Sequence, residues 1–505
     1  MAASGLGMFL ILLLGGGSDL LDFLSSKAYW QAKGVEITAA NMLAELRPVE
    51  LGDVPALIRQ LASERHADRE QASRKLLAKG PTVVPQLLKA AGSADAEAAA
   101  RIRNLVRALS GKDEAPAVRR LMAIRTLGEV KHRAAVPALR KLLGSKVLFE
   151  AEYARQAIAA IEGKPFKRPV ASVKDMASDL WLLPGNCGAV GQVALPAGKP
   201  VDLDQMAKEL AAMLPEGKAE EALKQANQGL ISLAERIGNV RLHGVTFGVA
   251  DDVSDDSGYV VFIARGLYDV AAVRTALLEQ RAKPRVVEGT EVLGFGGDDP
   301  VLILASNERL VFLVSPSGEK LPIAQMVAAL KAGKGKLTGN QDIAKLVKSV
   351  GVDNALWAVM RVSEASRQAS LLAPFKTVTL VGKRKAEQMD FALKATGSEA
   401  ERVRQAVTEF NELMAEGREE IARQAERMPA MKPLADLLAS IKGTAEGPNA
   451  TVTAQFKGDV KRLLGMPFML WMSHSVPATE MMEQVEPAPR VVAPARRVVR
   501  PAPGP

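Results

Sequence analysis

The sequence predicts a multidomain chain: an N-terminal all-α solenoid of stacked helix pairs, then an α+β domain made of two related subdomains. Three observations predict it. One eight-residue phrase is written three times in the first third of the chain. Between residues 163 and 175 the texture changes from helical repeats to strand-like runs alternating with helices. Within that larger region an order of strand, turn, strand and helix occurs twice.

At 505 residues the chain has room for about two to four domains, each with its own core. Aromatic residues make up only 4%, which favours helices packed through small and aliphatic side chains. Cys187 is the single cysteine, so no internal disulfide staples the fold and the redox compartment stays open. The net charge of +9 is unevenly spread. Residues 1–168 hold 26 Lys and Arg against 17 acidic residues, residues 169–480 hold 36 against 38, and the last 25 hold 4 against 2. A basic helical region suits an acidic partner, a nucleic acid or an anionic surface, and a solvated helix face explains most such charges. No helix-turn-helix, zinc or aromatic-basic strand pattern is present, so nucleic acid is not the expected partner.

The chain opens with "MAASGLGMFLILLLGGGSD", uncharged until Asp19. Its apolar heart, Met8 to Leu14, is too short to span a bilayer and suits the apolar part of a secretory signal. It lacks a basic lead and an Ala-x-Ala site, so residues 1–17 read as a signal or anchor, or as an apolar turn tucked into the next helix. Residues 18–50 read as lead-in helices. In "SDLLDFLSSKAYWQAKG" Ser18 is the expected N-cap, with Leu20, Leu21, Leu24 and Ala28 as buried stripe and Phe23 at its edge.

The repeated phrase is "VPALIRQL" from Val54, "VPQLLKAA" from Val84 and "VPALRKLL" from Val136. Apolar residues fall at helical spacing in each: Val54, Leu57, Ile58 and Leu61 in the first, Val136, Leu139, Leu142 and Leu143 in the third. The proline is second, where a first helical turn tolerates its missing N–H. Each phrase is followed by a polar turn and a second helix that ends near glycine, at Gly80, Gly111 and Gly163. "APAVRRLMAIRTLGEV" adds a helix between the second and third copies. One short pair cannot bury its apolar face, but stacked pairs can. "VPALRKLLGS…EYARQAIAAIEG" and "DREQASRKLLAKGPTVVPQLLKAAGS" look like HEAT-type repeats of bacterial proteins, over residues 54–163. The resemblance implies an interaction surface and no catalytic residues. The candidate partner contacts are Arg74, Lys75, Arg103 and Arg107, on the second helices.

A Pro/Lys-rich linker is expected at 164–171, then subdomains at 172–335 and 336–465. Strand-like runs are "AVGQVAL", "VRLHGVTFGVA", "GYVVFIARG", "TEVLGFG", "PVLILAS" and "RLVFLVSP"; "LDQMAKELAAML", "DVAAVRTALLEQ" and "PIAQMVAALKAG" are helical. The block from Val245 and the block from Val378 share the order strand, turn, strand, helix. Phe262 answers Phe391, Val273-Arg274 answers Val403-Arg404 with one residue of slippage, and Trp181 and Trp357 precede the two blocks. "LPGNCGAVGQVAL", then helices, then paired strands, is similar to large α+β domains of uncharacterised bacterial proteins, many exported. That resemblance implies an envelope location and no chemistry.

No catalytic constellation emerges. "DDVSDDSG" from Asp251 fails the EF-hand template, because Ser257 takes the glycine position and Ile263 the glutamate position, so a hairpin turn is expected there. "GFGGDD" and "GKGKLTG" lack phosphate-loop spacing. The four histidines, His66, His132, His243 and His474, are scattered, and Cys187 sits in a glycine-flanked turn. Neither metal nor cofactor is expected. Residues 466–505 combine a Met-rich apolar stretch with a Pro/Arg tail that could hold an anionic polymer or lipid headgroups. The expected function is therefore non-enzymatic, a protein-interaction or scaffold role at the bacterial envelope through the helical repeats, with a cytoplasmic location the alternative. A carrier of a lipid-like or small apolar ligand between the α+β halves is the second reading. An enzyme built around Asp251, Asp252, Asp255 and Asp256 is the third.

Overall fold

The first apolar stripe folds inward, though not as one helix. The computed structural model describes residues 19–46, 53–79, 83–91, 95–110, 116–168, 173–195, 218–251, 258–295, 301–315, 321–364, 371–385, 388–427 and 432–457. Leu20, Leu21 and Leu24 are buried, the first two on a 3-10 turn, Leu20–Phe23. Helix α1 (Ser26–Ala32) then starts afresh, because the Ser25 hydroxyl accepts from the Ala28 amide and caps it. Tyr29 and Trp30 are fully buried, whereas Ala28 is only half-buried, and the Trp30 indole donates to Thr126 at 2.9 Å. Helix α2 is Ala39–Glu45. The expected N-terminal segment and Ser18 cap, the apolar stretch and tail after residue 457, and "LDQMAKELAAML" lie outside the described residues.

The repeated phrases form helices as their periodicity requires. The first opens α3 (Val54–Gln60), followed by α4 (His66–Ala78). The second opens α5 (Val84–Ala91), followed by α6 (Ala96–Ser110). Helix α7 (Pro116–Glu129) intervenes before the third, α8 (Val136–Lys141), and its follower α9 (Glu150–Glu162). The proline lies in the first turn of α3 and of α8. Gly163, at φ 69°, caps α9 in the left-handed conformation that glycine adopts without a Cβ penalty.

These helices do not share one core. Val54, Leu57, Leu76, Leu87, Ile102 and Leu105 of α3–α6 form their own apolar cluster. Leu121, Ile124, Leu139, Ala157 and Ile161 of α7–α9 belong to a second cluster, which includes Trp30 and Met42 and also Val245, Ala264 and Phe312 from the larger region. Helices α7 and α9 approach closely at Gly128, where a Cβ would lie 2.8 Å from the Ala157 Cα.

The larger region is built on a twelve-stranded antiparallel sheet. Its strands are β1 (Cys187–Ala194), β2 (Arg241–Ala250), β3 (Val260–Leu267), β4 (Lys283–Val287), β5 (Thr290–Gly294), β6 (Val301–Ser306), β7 (Arg309–Val314), β8 (Leu356–Arg361), β9 (Phe375–Lys385), β10 (Gln388–Gly397), β11 (Lys442–Glu446) and β12 (Asn449–Lys457). From edge to edge they run β11, β12, β10, β9, β8, β1, β2, β3, β7, β6, β5, β4. Strands β2 and β3 are the expected pair on either side of the acidic turn, with Phe247 opposite Phe262; in the second block Gly382 of β9 faces Phe391 of β10. Strands β4, β8 and β11 are additions to those read from the sequence. Trp357 lies within β8, opposite Gln192 of β1, whereas Trp181 lies in a turn before β1.

The remaining helices are α10 (Val173–Leu180), α11 (Lys218–Ile237), α12 (Val270–Glu279), α13 (Ile323–Ala332), α14 (Gln341–Val350), α15 (Ala400–Arg427) and α16 (Lys432–Ser440). Around β1, β2, β3, β6 and β7 both sheet faces are buried. One face carries Val190, Val261, Ile303 and Val311, which cluster with Met326 of α13 and Ile343 and Val347 of α14. The other carries Val245, Ala264, Leu302 and Phe312, which cluster with α7–α9 and with Ile231, Ala234 and Val273 of α11 and α12. Continuous apolar runs such as "VLILAS" follow from this double burial. Around β9, β10 and β12 only one face is apolar: Val378, Leu393, Ala395 and Ala450 cluster with Val403 and Val407 of α15. Thr379, Lys394 and Thr451, aligned across the opposite face, are at most half-buried.

Candidate functional site

The candidate contact residues fall on α4 and α6, the second helices of the first two pairs. Helix α4 turns Ala72 and Leu76 into the core, one turn apart, which leaves Arg74 and Lys75 exposed. These two form no ion pair among the described residues. Arg103 and Arg107 belong to α6, but their side chains lie outside what is described. Neighbouring cations have structural work instead. Arg69 donates to the Ser63 and Glu64 carbonyls at 2.9 and 2.8 Å, Arg101 to the Leu61 carbonyl at 3.0 Å, and Lys79 pairs with Asp53 at 2.8 Å. Residues 53–110 carry ten Lys and Arg against six acidic residues, so the unit is basic after its internal pairs are made.

A second charged cluster, not anticipated from sequence, ties the N-terminal helices to the sheet. Arg241 opens β2 and is 1% exposed. Its guanidinium donates to Asp19 (Nε to Oδ1, 2.5 Å) and to both Glu152 oxygens (3.0 and 2.6 Å), and lies 5.4 Å from the Phe149 ring centre. Arg168 pairs with Asp22, approaches Glu152 at 3.4 Å and donates to the Gln156 side-chain oxygen at 3.0 Å. Backbone bonds join the same elements: the Leu20 amide donates to the Val240 carbonyl at 2.8 Å. Burial opposes charge on Asp19, but Arg241 and Arg168 outweigh it and hold its carboxyl below the ordinary 3.8. Burial likewise opposes charge on Arg168, and its pairing with Asp22 and Asp19 keeps it protonated throughout. Chemically, this is a charge-matched clamp without an exposed reactive group.

A smaller clamp closes the opposite face. Asp179 of α10, fully buried, receives Arg265 of β3 at 2.7 and 2.8 Å and Arg309 of β7 at 2.8 Å. Asp251, the first residue of the acidic turn, pairs with Arg361 at the end of β8; Asp252, Asp255 and Asp256 lie outside the described residues. Cys187 is buried, and burial pushes its thiol up to about 12, so it is not a thiolate nucleophile near neutrality. Among the described residues no group of three His, Cys, Asp or Glu side chains is placed to hold a metal ion. Nor is any described helix long and apolar enough to cross a membrane.

No protein-family model matches the chain, and neither does any curated protein. Among solved structures, crystal forms I and III of TP0453 match at 10% identity and a TM-score of 0.30, covering 60% and 57% of this chain and 98% and 96% of that one. A likeness of this size carries no functional argument.

What sequence reading missed was the buried clamp. Its one local signal is an arginine heading a mostly apolar strand, because Arg241 lies 222 residues from Asp19 and 89 from Glu152.

Proposed function

We propose that this chain is a non-enzymatic docking protein in which the HEAT-type helix pairs α3–α6 engage a protein partner and the sheet region serves as the body. The observation that carries the reading is the separate core of α3–α6, with Arg74 and Lys75 on its outward surface. A unit packed on itself can present a face without disturbing the body. The uncharged run Met8–Leu14 and the resemblance to exported α+β proteins favour a place at the bacterial envelope. Strand order favours two related subdomains. Outward from the β1–β8 pair, one half reads β1, β2, β3, β7, β6 before β5 and β4 extend it, and the other reads β8, β9, β10, β12, β11. A ligand carrier would need space between the halves, and there the paired strands carry Val190 and Trp357, both fully buried.

The test is quantitative affinity capture with the full chain and with R74E/K75E/R103E/R107E, in the protein's own host. The reading expects a partner recovered in near-equal amount by the parent and lost by the variant. Equal recovery by both, or recovery of background alone, would remove it.

A further inference from the structure

Between Glu129 and Glu150 the chain has no acidic residue but carries Lys131, Arg133, Arg140, Lys141 and Lys146. All five are exposed. The same stretch holds three of the five large apolar side chains that stand exposed among the described residues: Val130 at 53%, Leu143 at 41% and Val147 at 50%. Single exposed aliphatics are ordinary, but here they are concentrated among cations on one short run of chain. That run comprises the end of α7, a 3-10 turn at Arg133–Ala135, α8, and a second 3-10 turn at Leu142–Gly144. Helix α8 sends Leu139 into the core and leaves Arg140 and Lys141 outside.

Beside the ridge lies an open depression of about 410 Å³, lined by Arg133, Val136, Ile161, Glu162 and Lys164. Its one acid, Glu162, is already matched by Lys164 at 2.6 Å and Arg140 at 3.6 Å. Lys131, Arg133, Lys141 and Lys146 form no ion pair among the described residues. Positive charge is therefore left over, interleaved with aliphatic surface and next to a concavity.

We propose that the α7–α8–α9 ridge docks an acidic polypeptide segment bearing aliphatic side chains. The cations select the charge, and the exposed Val130, Leu143 and Val147 select apolar side chains. A bilayer surface fits less well, because its interface favours Trp and Tyr, and the exposed apolar residues of the ridge are all aliphatic. The inference is independent of the α4–α6 face, since it uses different residues and is tested by different variants.

The experiment selects a short random-peptide library on the immobilised full chain, on K131E/R140E/K141E and on L143S/V147S. All five changed residues are exposed, and coincident thermal melts confirm that the variants fold. The proposal expects the parent to enrich acidic peptides with aliphatic residues. Anisotropy titration of the leading peptide should then show binding that weakens with salt and is reduced about tenfold or more in each variant. No acidic enrichment, or equal affinity across the three proteins, would overturn it. So would binding of phosphatidylglycerol-containing vesicles lost in the charge variant while no peptide is selected, which would assign the ridge to a membrane surface.

Discussion

Helices α3 and α8 begin with the same four residues, Val-Pro-Ala-Leu, yet they are buried by different things. Leu57 of α3 packs into the small cluster of α3–α6, while Leu139 of α8 packs into a cluster that reaches the sheet. The comparison teaches that an apolar stripe specifies which side of a helix turns inward, and not what it meets there. It also assigns the two regions different mechanical roles. Helices α7–α9 are one layer of the body, clamped to β2 by Arg241. Helices α3–α6 are a unit beside it.

The largest break in this comparison should come from Arg241→Leu. Removing it leaves the buried Asp19 and Glu152 with only the longer contacts of Arg168, at 3.7 and 3.4 Å, a loss of about 3–5 kcal/mol. Denaturant unfolding followed at the sheet and at α7–α9 should move together, while α3–α6 is unaffected. The truncations Leu76→Ala and Leu139→Ala sharpen the contrast. Each should cost about 2–5 kcal/mol, but the first locally and the second across the body, read by hydrogen exchange resolved to peptides. Gly128→Val should cost less, about 1–3 kcal/mol, by forcing α7 from α9, and a thermal melt checks it.

Acid provides a graded version of the first test. The Asp19 carboxyl is held below its ordinary 3.8, so its contribution is present above that value and is lost as the pH falls through the lower folded value. In Asp19→Asn the body's stability should therefore depend less on pH in that acid range. The smallest effect concerns Cys187, whose thiol is pushed up to about 12. A thiol reagent at pH near 8 should leave the native protein unlabelled and label it on unfolding; rapid native labelling would contradict the burial.

Much of the fold was legible because it is local. Leu20, Leu21 and Leu24 announced an inward stripe, and proline in the first turn with glycine at the end marked α8 and α9. Runs such as "VVFIARG" and "RLVFLVSP" read as strands because both their faces are buried. The break at Ser25 was missed because its capping competes with an otherwise continuous helical pattern. Strands β4 and β11, each with four of five residues exposed, and β8 lacked so clear a signal. The division of the repeated phrases between two cores was not legible at all, since it depends on residues such as Phe312 that lie far along the chain. For the site, sequence placed Arg74 and Lys75 on an outer helix face, but the Asp19–Arg241–Glu152 clamp exists only once distant segments meet.

The claim that α3–α6 form a unit separate from the body is tested most directly by native-state hydrogen exchange of the full chain at increasing denaturant. Amides of α3–α6 should share one opening reaction, and amides of α7–α9 should open together with β2 and β3. A single opening shared by α3 through α9, with the sheet exchanging apart from them, would contradict it.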